Sequence, residues 1–113
     1  MNNTKNIESV TYEINGQKFN MYIGVVCQIN YNGITTSVSK ESVYNYLTNL
    51  FTIIDEWEKE YVNSSIIGGN IWNLSINYSN GDKKVYNGKA SCPSNFEELE
   101  KLNQKVIEEV YNG

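Results

Sequence analysis

Apolar and polar residues alternate without a break over Trp72 to Ser79: Trp72, Leu74, Ile76 and Tyr78 share one side, Asn73, Ser75, Asn77 and Ser79 the other. That period of two is the signature of a strand with one buried and one wet face. Ser79-Asn80-Gly81-Asp82 reverses the chain, and the return run from Lys83 to Gly88 completes a hairpin, because Asn and Gly tolerate the positive φ that tight turns require. Two registers are open. A two-residue loop turns Val85 inward opposite Ile76, whereas a type I turn with Gly81 at the bulge position turns Tyr86 inward instead. We take Val85 inward as the expectation, which leaves Tyr86 exposed.

The same alternation organises the first third. Val10, Tyr12 and Ile14 mark a strand over Glu8 to Ile14, and Asn15-Gly16 makes the turn. A two-residue loop sets Tyr12 opposite Phe19 and Val10 opposite Met21, so both apolar faces coincide. Ile23, Val25, Cys27, Ile29 and Tyr31 continue in phase, which predicts one long second strand, bent or bulged at Gly24. Asn32-Gly33 then brings Tyr31 against Ile34, Ile29 against Thr36 and Cys27 against Val38.

Beyond Ser39 the period lengthens to that of a helix. Ser39 reads as an N-cap, with Val38 and Val43 placed as a hydrophobic staple. Val43, Tyr46, Leu47, Leu50, Ile54, Trp57 and Tyr61 then recur at three- and four-residue steps, predicting a helix from about 40 to 62. Phe51 and Ile53 widen that stripe. Asn63 to Asn70 is a polar loop ending in Gly68-Gly69, a pair that lacks the spacing and the lysine of a phosphate loop. After the connection Gly88 to Cys92, Pro93 precedes a capping box of Ser94 and Glu97 and a last helix from about 95 to 111. Its inner stripe is Phe96, Leu99, Leu102, Val106 and Val110, and Glu97 pairs with Lys101 one turn on. The expected architecture is one α+β domain over 1–113 with a flexible tail at 1–6. An antiparallel sheet of about five strands, a three-stranded meander plus the hairpin, is packed by two helices in the order βββ-α-ββ-α.

Composition narrows the chemistry more than net charge does. The net charge is -4, the nine basic residues are all lysines, and there is neither histidine nor arginine. Imidazole-based proton transfer, the usual zinc ligand and the Ser-His or Cys-His nucleophile systems are therefore missing. The bidentate fork that reads phosphate or guanine is missing too. An acidic chain with scattered lysines is repelled by duplex nucleic acid, so none is expected as a partner. No apolar run reaches the length of a membrane span. The polar start of the chain and only two cysteines, Cys27 and Cys92, give the expectation of a cytoplasmic protein without a disulfide.

The run Trp72-x-Leu74-x-Ile76-x-Tyr78-x-x-Gly81, then Tyr86-x-Gly88, then Pro93-x-x-Phe96-x-x-Leu99 resembles a module of small proteins from low-GC bacteria and their phages. The motif covers about a quarter of the chain and implies a fold. Among phage proteins of this size and element order are counter-defence proteins, and the chain is similar in this to the Thoeris anti-defence proteins, oligomeric sponges that sequester a cyclic ADP-ribose signal. That resemblance implies a non-catalytic host-cytoplasm protein, a homo-oligomer without a cofactor, that holds a small nucleotide. It departs from such a sponge in having no arginine for a diphosphate.

Candidate ligand groups follow from that chemistry: Tyr44 and Tyr86 as exposed rings to stack on a base, Lys83, Lys84 and Lys89 as phosphate donors, and the amides near Ser94 and Asn95 at a helix start. Each has a plainer role as a solvated turn, a helix cap or a surface ring. Cys27, in phase with the core, reads as a buried hydrophobe, while Cys92 reads as a loop thiol beside a helix start. Two acidic groups stand out, Asp55, Glu56, Glu58 and Glu60 at the end of the first helix and Glu97, Glu98 and Glu100 at the start of the last. The second group complements the helix dipole; the first opposes it and lacks a local reason. A basic protein partner is therefore the alternative expectation, as for an inhibitor of a host defence effector, with a ligand-free structural accessory as a third.

Overall fold

The computed structural model describes residues 6–112; apart from Asn6, the expected tail lies outside them. The elements are β1 (Ile7–Ile14), β2 (Gln17–Tyr22), β3 (Gln28–Tyr31), β4 (Ile34–Ser37), α1 (Lys40–Ile54), β5 (Glu60–Val62), β6 (Ile71–Tyr78), β7 (Lys83–Lys89) and α2 (Phe96–Asn112). They make one seven-stranded sheet in the order β4-β3-β2-β1-β6-β7-β5. All neighbours are antiparallel except β5 and β7, which run parallel. The class is α+β, as expected; the sheet has seven strands and is mixed, where about five antiparallel strands were expected.

Both extra strands, β3 and β5, come from pattern that continues past a change in backbone course. A single strand over residues 17–31 would run about 50 Å, longer than the molecule's greatest extent of 45 Å. The chain instead folds back through Ile23 to Cys27, so Met21 pairs with Ile29 and Phe19 with Tyr31. Val25, in phase by sequence, is left exposed in that reversal together with Val26. The flanking registers match the expectation: Tyr12 faces Phe19, Val10 faces Met21, Tyr31 faces Ile34 and Ile29 faces Thr36.

α1 also stops short of the expected 62. Its N-cap is Ser39, whose hydroxyl accepts from the Ser42 amide, and no basic residue stands in its last turn. Beyond Ile54 come Asp55, Glu56 and Glu58, carboxylates that disfavour the negative end of a helix dipole. There the chain leaves the helix. Trp57 and Tyr61 still pack on the core, one from a turn and the other from β5, so the helical stripe correctly marks burial but not conformation.

The hairpin adopts the other register. Leu74 faces Tyr86, Ser75 faces Val85 and Ile76 faces Lys84. Gly81 sits at φ 94°, its amide donates to the Tyr78 carbonyl at 3.0 Å, and the Tyr78 amide donates to the Asp82 carbonyl at 2.9 Å. The Asp82 amide also donates to Asn80 Oδ1 at 2.9 Å, locking the turn locally. Tyr86, not Val85, therefore lies on the covered face, where it meets the Trp57 ring edge-on at 5.9 Å.

Both helices lie on one face of the sheet. Val10, Met21, Ile29, Leu74 and Ile76 point into that layer and are fully buried with Leu47, Leu50 and Leu99. The opposite face, carrying Asn73, Ser75 and Asn77 on β6 and Ser9 and Thr11 on β1, is uncovered. The Tyr111 hydroxyl donates to the Ile34 carbonyl at 2.6 Å, tying the end of α2 to the edge strand. Among the described residues, no helix is long and apolar enough to cross a membrane.

Candidate functional site

One end of the molecule is built around an aromatic hub. The Trp72 and Phe96 rings are 4.8 Å apart, Trp57 lies 5.7 Å from Trp72 and 6.1 Å from Phe96, and Tyr61 lies 6.1 Å from Trp72. Three connections are pinned to it by hydrogen bonds. The Trp72 indole donates to the Ser91 carbonyl at 2.9 Å, and the Trp57 indole donates to Asn95 Oδ1 at 2.7 Å. The Asn95 amide in turn donates to the Ile53 carbonyl at 2.9 Å, closing the end of α1 onto the start of α2. Gly88 admits the Trp72 ring, since a Cβ there would collide with the indole and with the Ser91 carbonyl. Trp57, Trp72, Tyr86, Gly88 and Phe96 thus share one packing unit.

The segment Cys92-Pro93-Ser94 runs over this hub as a ridge between two clefts. One, of about 480 Å³, is bounded by Ile66, Asn70, Ser91, Glu97 and Glu100. The other, of about 410 Å³, is bounded by Thr52, Asp55, Glu56, Trp57 and Tyr61. Asp55 and Glu56 from one acidic group and Glu97 and Glu100 from the other, far apart in sequence, thereby come to opposite sides of a single ridge. Their charge is little offset, because the described ion pair there is Glu97 with Lys101 at 3.5 Å, both exposed, and such pairs are weak. The Tyr12 hydroxyl donates to Glu100 Oε2 at 3.4 Å; burial first, and the Glu100 charge second, push its pKa above the usual tyrosine value. Cys92 is exposed on the ridge and Cys27 is buried elsewhere, both as free thiols. Among the described residues no three acidic or cysteine side chains are grouped to hold a metal.

The residues expected to hold a nucleotide are distributed over several places. Tyr44 is exposed on α1, at a cleft with Gly24 and Lys40. Lys83 faces Asn77 on the uncovered side, while Lys84 lies on the helix side with its ammonium 5.7 Å from the Phe51 ring centre. Lys89 stands at the other end of β7, about 20 Å away by strand geometry. Tyr86 is half-buried in the hub, and burial raises its pKa. Ser94 is exposed, and among the described residues no hydrogen bond joins it to Glu97, so the expected capping box is not formed. α2 opens instead through the Phe96 amide to the Pro93 carbonyl and the Glu98 amide to the Asn95 carbonyl. Ser94 and Asn95 adjoin at the start of α2, and Asn95 is engaged in holding the two helices together.

Gly68 and Gly69 also find their role here. Both have φ near 86°, and a Cβ on Gly69 would clash with Ala90, so the pair lets the loop cross tightly over the end of β7. Compared with known proteins, the chain matches no family model, no curated protein and no solved structure.

Proposed function

We propose that the protein is a non-catalytic binding protein of the counter-defence kind, which acts by docking a basic protein on its acidic end. The observation that carries this reading is the meeting of Asp55 and Glu56 with Glu97 and Glu100 across the Cys92-Pro93-Ser94 ridge, each pair on the wall of a cleft. Carboxylates set on a rigid aromatic base supply long-range attraction and a fixed shape, the two ingredients of fast and specific docking. The same carboxylates repel a diphosphate, and the lysines that would attract one are divided between the two ends of β7. A protein partner therefore suits the geometry better than a cyclic nucleotide.

The test is affinity capture from a low-GC bacterial host with the natural chain and with Asp55→Lys/Glu97→Lys. A basic partner retained by the first, released by rising salt, and bound at least about tenfold more weakly by the second is the expected result. A rise in melting temperature with cyclic ADP-ribose nucleotides and no such partner overturns it in favour of the sponge.

A further inference from the structure

The uncovered face ends in an aliphatic corner. Trp72, Gly88 and Tyr61 are cross-strand neighbours on the helix side, so the residues flanking them point the other way. Val62 on β5, Lys89 on β7 and Ile71 on β6 form one row there; Glu60, Asn87 and Asn73 form the next. Val62 is 57% exposed and Ile71 60%. The loop joining β5 to β6 crosses the end of β7 between them, held by the Asn63 amide to the Lys89 carbonyl at 3.1 Å and the Ala90 amide to the Asn70 carbonyl at 2.9 Å. It presents Ile67, which is wholly exposed. Val62 and Ile71 are thus left in water on this face on either side of Lys89, with Ile67 exposed on the adjoining loop, and exposed aliphatic groupings of that kind mark contact surfaces.

Charge decides what covers it. Lys89 lies between two aliphatics, and Glu60 is its diagonal neighbour, one row along on the adjacent strand. Neither belongs to the described ion pair, which joins Lys101 to Glu97. A patch that carries one cation and one anion at this offset is complementary to itself. When a two-fold axis sets Val62 against its own copy, each Lys89 comes over Glu60 of the second copy, and the aliphatic corners shield the two ion pairs from water. We propose that this corner is a homodimer interface: a second copy of the chain seats on Val62, Ile67 and Ile71, with reciprocal Lys89–Glu60 pairs fixing the register. The clefts beside the Cys92-Pro93-Ser94 ridge open on the helix side, so this interface stands whether or not a basic partner docks there.

Sedimentation equilibrium and light scattering over a concentration series of the full chain test it. The natural chain is expected to dimerise reversibly. Ile67→Asn and Val62→Asn, at surface positions, should each weaken the dimer at least about tenfold. Lys89→Glu alone and Glu60→Lys alone should do the same through like-charge contact, and the double exchange Glu60→Lys/Lys89→Glu should restore it. That restoration is a readout which general loss of stability does not mimic, and circular dichroism confirms folding of each variant. A natural chain that stays monomeric at millimolar concentration, an oligomer indifferent to all four single changes, or a double exchange no better than its parents would each overturn the proposal.

Discussion

Tyr46 and Asn103 are the polar pair inside the core. The Tyr46 hydroxyl donates to Asn103 Oδ1 at 2.6 Å, both residues are buried, and the Asn103 amide nitrogen has no partner. Burial pushes the Tyr46 pKa well above its usual value, which favours the neutral hydroxyl that donates this bond. Removing one member leaves the other buried and unsatisfied, whereas removing both leaves an apolar contact. Tyr46→Phe and Asn103→Leu should therefore each lower unfolding free energy by about 1–3 kcal/mol, and the double variant should cost clearly less than their sum. Urea unfolding of the four proteins measures this; strict additivity would mean that the two residues are not coupled. Neither role was legible in the sequence. Tyr46 is one more member of an apolar stripe, and Asn103, four residues after Leu99 and three before Val106, falls on the inner face of α2 with nothing in the sequence to name its partner.

At the scale of elements, Gly88 is the position on which the hub turns. Alanine there forces the Trp72 indole or the Ser91 carbonyl to move, and overpacking of this kind costs about 1–3 kcal/mol. Gly88→Ala should lower the melting temperature and the urea midpoint by a corresponding amount, while Gly16→Ala, where nothing lies near the added carbon, should show only the cost of its positive φ. Equal losses at the two positions would deny the close packing. The strands β1, β6 and β7 and the turns at Asn15-Gly16 and Asn32-Gly33 were readable, because alternation and turn chemistry are local. The long second strand and the long first helix were misread for one reason. Phase continues through Ile23 to Cys27 and through Trp57 to Tyr61, yet the backbone reverses in the first and leaves the helix in the second; periodicity reports which side is buried, not whether the chain still runs straight. Tyr86 turned inward because Trp57, freed from the helix, supplies the ring it packs on, a contact between distant segments.

The whole molecule is two layers, one seven-stranded sheet and the helices on one side of it, with a ridge flanked by carboxylates at one end and an aliphatic corner on the uncovered face. The two acidic groups were legible as residues, and their meeting was not, since it depends on Asn95 joining the end of α1 to the start of α2. The candidate nucleotide residues were chosen by chemistry alone and fell apart for the same cause: strand order, set by tertiary pairing, decides which side chains become neighbours. The most direct test of the docking end is an amide chemical-shift titration of the isotope-labelled protein with an oligolysine peptide. Shifts concentrated at residues 55–57 and 92–100, and abolished by salt, are expected from the convergence of charge on the ridge. Shifts spread equally to Glu8, Glu13, Glu41 and Glu108, acids that lie elsewhere on the surface, would contradict it.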